Sequence, residues 1–113
     1  MIEVKAYPYP WGGFKGMEIS GHAEYAEYGK DIVCAGISAL VETAILGLEN
    51  VACLKPEVVK KTGYVSILLP DDVPMDKLQK AAVILETIYL GFEDISKSYP
   101  KNIRTYKIRR CNR

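Results

Sequence analysis

Apolar and polar residues alternate with the two-residue period of a β-strand in several short stretches of the chain. Residues 2–8 alternate in this way, which places one side of the strand in a core and the other in water. The same period predicts a second strand over 14–21, a hairpin over 57–69 that turns at Thr62-Gly63, and a weaker last strand over 103–109.

Two further stretches have the 3.6-residue period of an amphipathic helix. The first begins after Asp31, whose side chain suits a helix N-cap, and is predicted to run to about Cys53, before Pro56. The second follows Pro74 and is predicted to end at Pro100. Its apolar residues fall on one helix face: Leu78, Ala81, Leu85, Ile88, Phe92, Ile95 and Tyr99.

The resulting order β-β-α-β-β-α-β predicts an α+β fold, a two-layer sandwich with a mostly antiparallel sheet and both helices packed on one face. The chain has 113 residues and no linker-like stretch, so residues 1–113 are expected to form one domain. The stripe of the second helix could also serve a dimer seam, although covering the sheet is its simpler use. We recognise no signal peptide and no apolar run of spanning length, and therefore expect a cytoplasmic protein without membrane contact.

The cysteine and histidine content limits the chemistry that the chain can carry. Three cysteines at wide spacing, Cys34, Cys53 and Cys111, favour free thiols in a reducing compartment over a disulfide framework. His22 is the only histidine and there is no Cys-x-x-Cys pair, so we expect neither a metal site nor a cofactor.

The charges are balanced overall but unevenly distributed. The net charge of +1 gives no reason to expect nucleic acid or an acidic membrane as a partner. Residues 101–113 nevertheless hold six basic side chains and no acids, and residues 18–50 hold six acids and a single base. Both segments are most simply solvated surface, and the sharper interpretation is that the acidic segment faces a basic partner.

The best candidate for chemistry is the stretch that joins the second strand to the first helix. With Asp31 as the N-cap, Cys34 falls in the first helical turn, where unpaired N–H groups and the helix dipole favour the reactive thiolate. The same N–H groups are candidates to stabilise an oxyanion. His22 lies at the other end of the loop, so it can meet Cys34 and act as its base.

Two nearby polar residues have roles that the spacing leaves open. Asp31 could cap the helix, orient His22, or do both. Ser38 is one turn after Cys34 and faces the same side of the helix. The ordinary alternatives are that Cys34 is a small buried side chain and His22 a surface residue. No base is expected near Cys53 or Cys111.

A Gly-His-Ala run at 21–23 and an Asp-Ile-Val-Cys-Ala run at 31–35 resemble the bacterial ribosomal-processing cysteine protease family. Chain length and element order are similar as well, so the resemblance covers nearly the whole chain. It implies that His22 and Cys34 are the catalytic residues, and that Gly21, Asp31 and Ser38 support the site or bind substrate.

The resemblance also implies a substrate and an assembly. The family removes a short N-terminal extension from the precursor of a large-subunit ribosomal protein, cutting after aromatic residues, and its members are homodimers. The loop over 24–30 would then be a mobile cover. Candidates to line a pocket for aromatic side chains are Tyr25, Tyr28 and Trp11. We further expect Glu24 and Glu27 to attract the lysine-rich residues after the cut.

Two rival functions remain. A non-catalytic module that binds the ribosome or RNA would use the basic segment 101–113. A thiol redox sensor would use Cys34, but no resolving cysteine lies near it in the sequence.

Overall fold

The computed structural model describes residues 1–27 and 31–108 and contains seven elements in the predicted order. The strands are β1 (Ile2–Pro8), β2 (Phe14–Ser20), β3 (Glu57–Lys61), β4 (Tyr64–Leu68) and β5 (Ile103–Lys107), and the helices are α1 (Ile32–Asn50) and α2 (Met75–Ser98). The α+β prediction is confirmed. Predictions that concern Tyr28, Gly29, Lys30 or residues 109–113, including Cys111, lie outside the described residues.

Helix α1 ends three residues earlier than predicted. The N–H groups of Val51 and Ala52 both bind the Gly47 carbonyl, and Cys53 has a left-handed backbone with a φ of 55°. The chain therefore leaves the helix at Asn50, before Pro56 could end it.

The five strands form one mixed sheet in the order β3-β4-β2-β1-β5. All neighbouring pairs are antiparallel except β1 and β5, which are parallel. The parallel pair is possible because α2 crosses the sheet between β4 and β5, and parallel neighbours need a long crossover.

The core lies between one face of this sheet and the two helices. Alternate strand residues are buried on that face, including Val4, Met17 and Ile67. The predicted stripe of α2 is confirmed, since Ala81, Leu85, Ile88 and Phe92 are buried and its outer members pack against the core.

By length and composition alone, α1 would be apolar enough to cross a membrane. In this fold its apolar side is used differently. Six residues are buried among the other elements: Val33, Ile37, Val41, Ala44, Ile45 and Leu48. A core helix of a globular protein passes the same test, so the finding is weak evidence for a membrane span.

Two helices do not cover five strands completely. Each helix is about 10 Å wide with its side chains, whereas strands are about 4.8 Å apart. Edge strand β3 remains largely bare, and four of its five residues are exposed. The space between α1 and this strand forms a cleft.

Candidate active site

A cleft of about 620 Å³ opens between α1 and the β3–β4 hairpin. Its wall on α1 includes Cys34, Ser38 and Glu42, which are spaced four residues apart and therefore share one helix face. Its floor includes Ile2, Ile19, Ile37, Val41 and Val65, which are core residues or pack against the core. The cleft is thus apolar below and polar along its rim.

Cys34 is the third residue of α1, as predicted, and is partly exposed in the cleft. Asp31 caps the helix, because its Oδ1 accepts hydrogen bonds from the N–H groups of Val33 and Cys34, both at 3.0 Å. The Ala35 N–H binds the Asp31 carbonyl at 3.0 Å. Three first-turn N–H groups therefore already have acceptors, which does not support their use as a ready oxyanion site.

The second carboxylate oxygen of Asp31 holds the loop before the helix. Oδ2 accepts hydrogen bonds from the N–H groups of Tyr25 at 3.0 Å and Ala26 at 3.4 Å. Burial raises the pKa of Asp31, but the four N–H groups outweigh it and keep this pKa below its usual value. The hydrogen bonds of the described residues include none between Asp31 and His22, so the observed role of Asp31 is to cap.

His22 follows β2 by two residues and lines the same cleft as Cys34. The preceding residue fixes the direction of the chain. Gly21 has a φ of 95°, and a Cβ there would lie 2.2 Å from the Met1 carbonyl oxygen, so only glycine fits. The Gly21 N–H also binds the Gly63 carbonyl at 2.9 Å.

The structure brings Gly21, His22, Asp31, Cys34 and Ser38 together around one cleft. The hydrogen bonds among the described residues do not include one between the Cys34 thiol and the His22 imidazole. The buried residue Ala23 anchors the intervening loop, because its carbonyl accepts a hydrogen bond from Asn102 Nδ2 at 2.8 Å.

Two aromatic residues predicted to line the cleft do not do so. Trp11 is exposed and stacks on Tyr9, with 5.1 Å between ring centroids. Tyr25 packs edge-on against Tyr99 at 5.3 Å. Aliphatic residues that belong to the core or pack against it form the floor instead.

Sequence reasoning missed the residues that the β3–β4 hairpin and the middle of α1 contribute. Glu42 lies on the cleft wall and forms an ion pair with Lys60 of β3, which bridges the end of the cleft away from Cys34. The spacing of eight residues from Cys34 could have identified Glu42. Lys60 gave no signal, because its position depends on how the hairpin meets the helix.

A second polar cluster lies on the opposite face of the sheet. The Glu18 carboxylate accepts hydrogen bonds from the hydroxyl groups of Tyr7 and Tyr64. The bond to Glu18 and partial burial raise the pKa of Tyr7 to about 12. The two phenols, first that of Tyr64, lower the pKa of Glu18. Tyr64 is the first residue of β4, so its hydrogen bond to Glu18 ties the start of that strand to β2.

Within residues 1–27 and 31–108, no group of three or more His, Cys, Asp or Glu side chains is arranged to hold a metal ion.

Comparison with known proteins gives consistent matches. Residues 1–104 match the family model described as cysteine protease Prp. The ribosomal processing cysteine protease Prp of Bacillus subtilis is 32% identical over 94 residues, which cover 81% of this chain and 84% of that protein. The Staphylococcus aureus protein of the same name is 31% identical over 88 residues, covering 76% and 79%.

Solved structures match along almost the whole chain. The S. aureus ribosomal processing protease Prp with a covalently linked product peptide superposes with a TM-score of 0.87 at 28% identity, covering 96% of this chain and 100% of that one. The same S. aureus protease with a substrate peptide gives a TM-score of 0.81 at 27% identity and the same coverage.

Proposed function

This chain belongs to the cysteine protease Prp family, and we propose that it removes the short N-terminal extension from the precursor of a large-subunit ribosomal protein. The observation that carries the proposal is one cleft with Cys34 and His22 at its polar end and an apolar floor beside them. Relatives that are named ribosomal processing proteases, one of them solved with a substrate peptide, support the choice of substrate.

In the proposed mechanism, Cys34 is the nucleophile and His22 is its base. His22 takes the thiol proton, and the thiolate attacks the carbonyl carbon of the scissile bond. The tetrahedral intermediate collapses, the C–N bond breaks, and the imidazolium gives its proton to the leaving amine. Water, deprotonated by His22, then hydrolyses the thioester and restores the thiol.

The cleft also suits the proposed cleavage after aromatic residues. Aromatic side chains on the extension would contact the apolar floor formed by Ile19, Val41 and Val65. The extension would run along α1 from Cys34 towards the Glu42–Lys60 pair. The basic residues after the cut would then leave on the side of the acidic loop that holds Glu24 and Glu27.

The remaining parts of the proposal concern the enzyme as a whole. Residues 1–113 act as a single protease domain, as a homodimer in the cytoplasm, where its ribosomal substrate is made. Gly21 and Ser38 support the site. Acyl transfer through a thiol needs no cofactor, and neither nucleic acid nor a membrane is required.

The proposal is tested by incubating the purified protein with a precursor peptide that carries the N-terminal extension, followed by mass spectrometry. We expect cleavage at one bond after an aromatic residue, lost in Cys34→Ser and His22→Ala. Cys53→Ser is the matched control, because Cys53 is an exposed thiol that does not line the cleft. Cleavage that survives Cys34→Ser would overturn the assignment, and no cleavage by the wild type would favour a binding module.

A further inference from the structure

The imidazole of His22 lies directly against the turn of the β3–β4 hairpin. A Cβ built on Gly63 would be 3.1 Å from Nε2, 3.5 Å from Cε1 and 3.8 Å from Cδ2 of His22. Three atoms of the ring therefore face the space that a side chain on Gly63 would occupy. A Cβ contact of 3.1 Å is tighter than most in proteins, so any other residue at this position would require the ring to shift by a few tenths of an ångström.

The turn that carries Gly63 is itself fixed to the strand that leads to His22. The Gly63 carbonyl accepts the hydrogen bond from the N–H of Gly21, the residue before His22, at 2.9 Å. The next residue, Tyr64, donates its hydroxyl to Glu18 of β2 at 2.6 Å. These two hydrogen bonds tie the turn to β2 and to the residue before His22, so the turn lies where a Cβ on Gly63 would meet the imidazole.

We infer that Gly63 is a positioning residue for His22, a role that rests on the proposed function of His22 as the base. Because Gly63 has no side chain, the imidazole can lie close to the turn. This position sets the direction in which the ring faces the Cys34 thiol. Gly63 has no side chain that could take part in the chemistry. Its effect is to limit the positions that the imidazole can occupy.

A simpler reason for glycine must be separated from this role. Gly63 has a φ of 69°, and such a backbone by itself favours glycine in a two-residue hairpin turn. Asparagine tolerates this left-handed conformation well but carries a Cβ. Gly63→Asn therefore largely keeps the turn while it places an atom against the imidazole.

The experiment compares Gly63→Asn, Gly63→Ala and Gly12→Ala with the wild type. Gly12 is the matched control, because it has a φ of 106° in the other hairpin and nothing within 4 Å of its Cβ position. A misplacement of about 1 Å can cost about 100-fold in rate. The shift needed here is smaller, so we expect kcat to fall about tenfold in both Gly63 variants. KM and the melting temperature of Gly63→Asn should change little, and Gly12→Ala should keep the wild-type kcat.

A second measurement reports on the imidazole directly. The rate at which iodoacetamide alkylates Cys34 is measured against pH in the wild type, Gly63→Asn and His22→Ala. We expect the Gly63→Asn profile to move towards that of His22→Ala. Wild-type kcat and an unchanged alkylation profile in a folded Gly63→Asn would overturn the inference. Failure of the wild type to cleave would instead overturn the proposed function on which it rests.

Discussion

The two ends of the cleft are held by different kinds of contact. At the Cys34 end, one carboxylate, that of Asp31, accepts hydrogen bonds from four backbone N–H groups of the loop and the helix. At the other end, Glu42 and Lys60 form an ion pair whose side chains are 53% and 52% exposed. Backbone contacts to a charged acceptor fix a position, whereas an exposed ion pair contributes about 0–1 kcal/mol and yields easily. Substitutions at the Cys34 end should therefore lower stability and activity far more than substitutions at the other end.

The largest effect within this comparison is expected at Asp31. Asp31→Ala leaves four N–H groups without their acceptor and should lower the free energy of unfolding by about 1–2 kcal/mol, with at least about a tenfold loss of kcat/KM. Asp31→Asn has one carbonyl oxygen, which can serve the helix or the loop but not both, and should fall in between. Denaturant unfolding and peptide cleavage measure the two effects.

Asp72→Ala serves as the control for the Asp31 series, since Asp72 is an exposed aspartate outside the cleft. Equal stability and activity of Asp31→Ala and Asp72→Ala would show that the double use of the Asp31 carboxylate is unimportant.

Acid should weaken the Cys34 end selectively. The pKa of Asp31 is lower in the folded protein than its usual value, which is about 3.9. The contribution of Asp31 to stability is therefore complete above that usual value and is lost as the pH falls through the lower pKa of the folded protein. Unfolding of wild type and Asp31→Asn is followed at decreasing pH. The stability difference between them should shrink in that window, and a difference that stays constant would contradict this assignment.

A smaller effect is expected at the far end of the cleft. Glu42 is eight residues beyond Cys34 on α1, about 12 Å along the helix, which about four extended peptide residues span. Glu42→Gln and Lys60→Gln should leave stability within about 1 kcal/mol and raise KM only for peptides with four or more residues before the cut. A truncated peptide is the control. Equal effects on short and long peptides would place the extension elsewhere.

The smallest effect is expected from the exposed loop. Glu24 pairs with the Met1 ammonium group at 2.9 Å, so Glu27→Lys is the cleaner test of attraction for a lysine-rich substrate. Its kcat/KM should fall about two- to threefold at low salt and recover near 0.5 M salt, where charges are screened over a few ångströms. Glu49→Lys, near the end of α1, is the control. Unchanged rates at low salt would remove the electrostatic hypothesis.

The sequence predicted contacts that are local and missed contacts that are not. Asp31 as a helix cap and Cys34 in the first turn follow from spacing within a few residues, and the structure agrees. The hydrogen bonds from Tyr25 and Ala26 to the same carboxylate depend on how the loop folds back, which no short-range pattern describes.

The contacts made by the hairpin lie beyond sequence patterns for the same reason. Gly63 meets His22 and Lys60 meets Glu42 only because β4 pairs with β2 and places the hairpin beside α1. The alternation over 57–69 identifies two strands but not their neighbours in the sheet. Likewise, periodicity gave no indication that β5 would join β1 in parallel.

The incomplete cover of the sheet has a thermodynamic consequence. Ile19, Ile37 and Val41 belong to the core and also form the floor of the cleft, so an apolar side chain placed there extends the core. A substrate or inhibitor that binds the cleft therefore stabilises the folded state. At a concentration of 100 times its dissociation constant it would stabilise the native state by about 2.7 kcal/mol. Occupancy of the cleft would thus be visible as a rise in melting temperature, even in a variant without the thiol.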